Sequence, residues 1–156
     1  MGKLDLDAIQ ARVAAITGMA DPDALSKIRP GAVFEVRDQL IRFPGDKPRT
    51  WHEFRRVIVV QAHAMLGPAL PATVSVVPCS ASQDGALRGD FDVPDGEKAF
   101  TKPGVVAYAT LLMPVLKKAL TVDGYRGELS PEAYGKLCAT IAVNLGLAPS
   151  PTLPRR

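Results

Sequence analysis

The chain has 156 residues and a mass of 16.6 kDa, is 47% hydrophobic and 22% charged, and carries 14 Pro and 13 Gly. That length suits one domain and that composition can fill a core, which excludes a mainly disordered polypeptide. Its 19 Lys+Arg against 16 Asp+Glu leave a net charge of +3 and a pI near 9.0, compatible with an anionic partner such as RNA without requiring one.

The longest apolar stretches are broken by Lys, Pro or Gly well short of the roughly 20 residues that a spanning helix needs. The opening MGKLDLDAIQ has acids where a signal peptide carries its apolar run. A soluble, cytoplasmic protein with no membrane partner is expected. Cys79 and Cys138 lack a CxxC arrangement or a His at ligand spacing, so neither a disulfide scaffold nor a zinc site is expected. There is no internal repeat and no Walker or Rossmann glycine pattern. No metal or cofactor is expected.

In chain order, residues 4–16 set Leu6, Ile9, Val13 and Ile16 at helical spacing, with Asp5 and Asp7 at the positive end and Thr17-Gly18 as a stop. Asp21-Pro22-Asp23 reads as the cap and first turn of a second helix that runs to about Lys27. After Pro30-Gly31, residues 32–36 (AVFEV) read as a strand with Val33 and Glu35 on the face opposite Phe34 and Val36. Residues 38–54 are polar, hold two Pro, a Gly and the only Trp, and form an unusually long connection.

Residues 56–61 (RVIVVQ) and 72–78 (ATVSVVP) are β-branched runs, separated by a turn-rich segment at 67–71. A loop follows over 80–89, then short strands at 90–93 and 104–108, with Asp95-Gly96 as a turn between them. Residues 110–120 contain Pro114 and read as one helical turn followed by an extended piece. The clearest helix is 130–145: Ser130 caps it, Pro131 takes the first position, and Tyr134, Leu137, Cys138, Ile141 and Leu145 form one stripe before Gly146. The Pro-rich tail APSPTLPRR reads as disordered. Strands that follow one another with few intervening helices favour a twisted antiparallel sheet or small barrel over a doubly wound fold.

Four blocks in this order resemble the PemK/MazF family of toxin–antitoxin endoribonuclease toxins: RPGAVFEV at 29–36, RRVIVV at 55–60, VVPCSAS at 76–82 and GELSPEAYGKLCATIAVNLGL at 127–147. The order and spacing of the blocks carry the likeness, which spans roughly 29–147. The second block has Val57 where the family usually has Pro. The resemblance implies a mainly β (α+β) fold: an SH3-like small barrel of five to seven short antiparallel strands with a C-terminal helix, here joined by an extra N-terminal helix. It divides the chain into an N-terminal helical extension (1–27), the barrel domain (28–147) and a tail (148–156).

The resemblance further implies a homodimer that cuts single-stranded RNA without metal and leaves a 2′,3′-cyclic phosphate, with a small acidic antitoxin as partner. Such chemistry needs a base for the 2′-hydroxyl, stabilisation of the phosphorane and an acid for the leaving 5′-oxygen. Arg56 falls on the family's active-site Arg, whose planar fork grips two phosphate oxygens. Ser80 falls on its Ser/Thr after the Pro and would hold the phosphate. Glu53 and His52, in the loop before the Arg, are the candidate bases.

Expected RNA contacts are Lys47, Arg49, Trp51, Arg55, Ser82 and Thr110; Trp51 and Phe54 would either stack bases or pin the long loop, which would act as a movable cover. Where many members carry an Asp-Gln or Ser-Gln pair, this chain has Ala109-Thr110. That departure motivates an alternative reading, a barrel that has lost cleavage and binds RNA or protein. A gyrase-directed toxin of the same barrel type is a third reading, although the end of the closing helix (IAVNLGL) is suited to packing. Cys79 with His63 as a nucleophile pair has nothing to fix it, since a Cys ending an apolar strand is usually buried and inert.

Overall fold

A computed structural model describes residues 22–41, 52–62, 72–81 and 86–149. The helix expected over 4–16, its stop at Thr17-Gly18, the cap residue Asp21, His63, the 67–71 turn and the tail beyond 149 lie outside the described residues. The order is α1 (Pro22–Lys27), β1 (Ala32–Arg37), a 3-10 turn (Asp38–Leu40), β2 (Phe54–Val59), β3 (Thr73–Ser80), β4 (Phe91–Asp92), β5 (Val106–Ala107), β6 (Met113–Leu116), a second 3-10 turn (Lys117–Ala119), β7 (Tyr125–Glu128) and α2 (Pro131–Asn144).

The strands form one sheet of seven in the order β4-β5-β3-β2-β1-β7, with β6 also on β3 and every pairing antiparallel. β6 takes the first half of β3 (Thr73 to Val76) and β5 takes its end (Cys79 and Ser80), so one strand serves two partners and the sheet curls into a half-barrel.

Both faces of the central strands are covered. Val33, Ile58, Val77 and Cys79 pack with Ala133 and Leu137 of α2, while Phe34, Val36, Val57, Val59, Val74 and Val76 pack with Ile28, Ile41, Val115 and Leu120 on the other face. Burial on two faces is the physical reason that these strands read as continuous β-branched runs rather than alternating ones. α1 is drawn into the second cluster, with Ala24 fully buried and Leu25 packed against it.

The expected strands are present with altered ends. β2 starts at Phe54 rather than Arg56, because Arg37 of β1 extends the ladder that far. It stops at Val59 because the Gln61 side chain accepts from Ser75 N at 2.9 Å, replacing a ladder bond. Residues 110–120 reverse the expected order: β6 comes first and the helical turn follows it. Pro114 sits in β6, an edge strand whose other side needs no donor.

β7 (YRGE) has no signal in the sequence and exists only as a partner for β1. Its pairing slips by one residue. Val33 faces Gly127 and Phe34 faces Tyr125, which leaves Arg126 out of register beside a Gly at φ 115.

Ser130 caps α2 as expected. Its hydroxyl accepts from Ala133 N at 3.2 Å and donates to Glu97 Oε1 at 2.5 Å, tying the helix start to the β4–β5 connection. Ser130→Ala is expected to destabilise the protein by about 1 kcal/mol or slightly more, read as a lower urea midpoint at unchanged slope. An unchanged midpoint would contradict a working cap. The apolar stripe ends a turn earlier than the sequence suggests: Leu137 is buried, Tyr134, Cys138 and Ile141 are half-buried, and Leu145 is exposed.

Candidate functional site

A cleft of about 250 Å³ opens where β1, β2 and the end of β3 meet the 100–105 segment. Its lining includes Glu35, His52, Phe54, Arg55, Arg56, Ser80 and Lys102. The antiparallel register sets Arg56 opposite Glu35 on one side, and on the other places Val57 against Pro78, just before Cys79 and Ser80. Arg56 and Ser80, the pair implied by the family resemblance, therefore lie in one cleft although 24 positions apart (80 − 56).

Arg56 is held on two sides. Its Nε donates to Glu35 Oε1 at 3.2 Å, and its guanidinium lies 5.5 Å from the centre of the Phe100 ring. Glu35 Oε2 accepts from Arg126 Nη2 at 2.5 Å. The hydrogen bond from Arg126, with that from Arg56 and the charge of both, holds the Glu35 carboxyl below the usual carboxylate range against the opposing effect of burial. Glu35 is ionised at neutral pH.

Arg55, expected as an RNA contact, lines the cleft as a largely buried residue. Its Nε donates to Asp38 Oδ1 at 2.6 Å and its Nη1 to the Cys79 carbonyl at 3.1 Å. Adjacent strand residues point to opposite faces, so the two arginines leave β2 on opposite sides; both line the cleft, Arg56 beside Glu35 and Arg55 as a buried part of its wall. Asp38 is wholly buried; its Oδ2 also accepts from His52 N at 3.1 Å, and its own N–H donates to the Glu53 carbonyl. This one carboxylate thus joins the 3-10 turn after β1 to the chain that enters β2.

His52 lines the cleft, whereas Glu53 is exposed and is not among the lining residues. Thr110 stands apart from the cleft: its N–H and hydroxyl both donate to Asp90 Oδ1, at 3.1 and 2.7 Å. Ala109 is buried in the core. Lys47, Arg49, Trp51 and Ser82, and with them most of the long connection, lie outside the described residues.

Cys79 is buried against the cleft, and burial pushes its thiol well up, outweighing the pull of Arg55 and Arg56 toward thiolate. Peptide mapping after iodoacetamide at neutral pH should find Cys79 unmodified in native protein and modified once urea is present. Rapid native labelling would show a reactive thiol.

Glu35, Phe100 and Lys102 line the cleft without belonging to any of the blocks' expected site positions. Glu35 did carry a signal, being a charge in the middle of the otherwise apolar AVFEV. Such a residue rarely enters a covered strand without a partner. Phe100 and Lys102 had none, since the β4–β5 pairing brings their segment to the cleft.

A curved antiparallel half-barrel closed by a C-terminal helix is the MazF-like fold. The chain shares it with a solved endoribonuclease from Mycobacterial species at TM-score 0.55 and 18% identity, over 80% of this chain and 96% of that one. An endoribonuclease in complex with its cognate antitoxin, also from Mycobacterial species, matches at TM-score 0.55 and 17% identity over 80% and 98%. MazF within a MazE–MazF crystal structure from Deinococcus radiodurans matches at TM-score 0.54 and 12% identity over 77% and 96%. No family model matches the sequence, and comparison with curated proteins gives no match. Among the described residues no helix is long and apolar enough to cross a membrane.

Proposed function

We propose that the chain is the toxin of a toxin–antitoxin pair, a cytoplasmic homodimer that cleaves single-stranded RNA without metal, with residues 28–147 as the working domain. The observation that carries the reading is the convergence of Arg56, Ser80 and His52 on one cleft of a MazF-like fold. In the proposed reaction the RNA 2′-oxygen attacks the adjacent phosphorus and the bond to the 5′-oxygen breaks, leaving a 2′,3′-cyclic phosphate and a 5′-hydroxyl. Arg56 stabilises the charge of the phosphorane and the Ser80 hydroxyl holds a non-bridging oxygen. His52 takes the 2′-hydroxyl proton, and the leaving 5′-oxygen takes a proton from solvent water; His52 lines the cleft, which favours it over Glu53. A small acidic antitoxin would bind the same cationic face, in line with the antitoxin complexes of the structural neighbours.

The test is incubation of purified protein with a long single-stranded RNA in EDTA, beside an Arg56→Ala control. Cleavage at a repeated short motif with cyclic-phosphate ends, absent in the control, is the expected result. A second reading, a binding module without cleavage, is favoured by one observation: the position at which many family members carry Asp-Gln or Ser-Gln is here a buried Ala109 and a Thr110 engaged with Asp90. Intact RNA in the presence of folded protein would select that reading.

A further inference from the structure

The Glu35 carboxylate lies between two guanidiniums, Arg56 from β2 and Arg126 from β7, with one oxygen on each. All three side chains reach solvent, at 21% exposure for Arg56, 23% for Glu35 and 36% for Arg126. The carboxylate accepts one bond from each of two guanidiniums, an arrangement of donors that also suits two oxygens of a phosphate.

The fold aims Arg126 at this point. The slip in the β1–β7 register sets Arg126 out of the ladder, and its Nη1 is fastened to the carbonyl of Asp123 at 2.6 Å and of Tyr125 at 3.2 Å. The turn that precedes it is clamped to β1: Glu35 N donates to the Gly124 carbonyl at 2.7 Å, and a Cβ on Gly124 would lie 2.6 Å from the Glu35 carbonyl oxygen. The backbones of β1 and of this turn are thus pinned to each other, while the Glu35 side chain reaches solvent.

We propose that Arg56 and Arg126 together form a site for one backbone phosphate of RNA, held at rest by the Glu35 carboxylate, which the incoming phosphate displaces. The ligand's identity as RNA rests on the function proposed above; the two-cation site itself rests on the geometry. Glu35 then acts as a resident competitor that keeps the pair of arginines ordered and lowers affinity for nucleic acid, and Arg126 extends the cleft beyond Arg56.

Binding of a fluorescein-labelled, mixed-sequence single-stranded DNA, which lacks the attacking hydroxyl, is measured by anisotropy over a salt series. The full-length wild type, E35Q, R126A and the double variant are compared after circular dichroism shows each to be folded. R126A is expected to weaken binding roughly threefold and to reduce the salt slope by about 0.7, the effect of one phosphate contact on a single strand. E35Q is expected to tighten binding by at least as much, and the gain should shrink in the double variant. Unchanged affinity and slope in R126A, or weaker binding by E35Q, would overturn the proposal while leaving RNA cleavage untouched. If wild-type protein leaves RNA intact yet shows this pattern on DNA, the cleavage reading fails and the phosphate site stands. Binding of a poly-glutamate peptide but not of the oligonucleotide would assign the arginines to a protein partner and overturn the phosphate assignment.

Discussion

Arg56→Ala is expected to lower the rate of RNA cleavage by about 10²- to 10³-fold, or about 2.7–4 kcal/mol of transition-state stabilisation. The charge on the phosphorane grows along the reaction path, so a cation fixed before the substrate arrives contributes most at its summit. Glu35 and Phe100 hold this guanidinium in place, and Lys102 is a further cation of the lining. Arg56→Lys should recover only part of the loss, because an ammonium lacks the planar fork that grips two oxygens. The readout is single-turnover cleavage of a labelled RNA with enzyme in excess, so that weaker binding and slower chemistry separate. Full activity in Arg56→Ala would remove this residue from the reaction.

Asp38→Ala should have the largest effect on stability, about 3–5 kcal/mol, because it leaves the buried charge of Arg55 without its carboxylate. It also removes the acceptor for His52 N, so the approach to β2 loosens together with the pair. Urea denaturation measures the change as a fall in midpoint. Asp38→Asn keeps the shape and an acceptor and should cost less. The double variant Asp38→Ala/Arg55→Met should regain much of the loss, since removing both charges of a buried pair often comes close to neutral. If Asp38→Ala were as stable as wild type, or the double variant worse than the sum of its parts, the pair would not hold the cleft wall together.

Much of the architecture is legible in the chain because it depends on local chemistry. The Ser130-Pro131 start of α2 satisfies its own end groups within one turn, and VIVV and VSVV run as β-branched stretches for want of any helical period. Arg56 and Ser80 were nameable through the family resemblance, and the register of β2 on β3 brings them to one cleft. The parts that were not legible depend on partners distant in sequence. β7 is four residues with a Gly in it, stable only where Val33 and Phe34 await it. The fate of Arg55 turns on an acid 17 residues earlier, a separation no periodicity reports.

The sequence by itself determined that β1, β2 and β3 extend, where α2 begins, and that β2 carries paired arginines near its start, since these follow from side-chain branching, capping and alternation along a single stretch of backbone. Only the tertiary structure decided that Arg55 is buried on Asp38, that Glu35 stands between Arg56 and Arg126, and that Thr110 bonds to Asp90 away from the cleft. Each of those outcomes is a competition among charges for partners, and burial settles such competitions by the cost of leaving an ion without one.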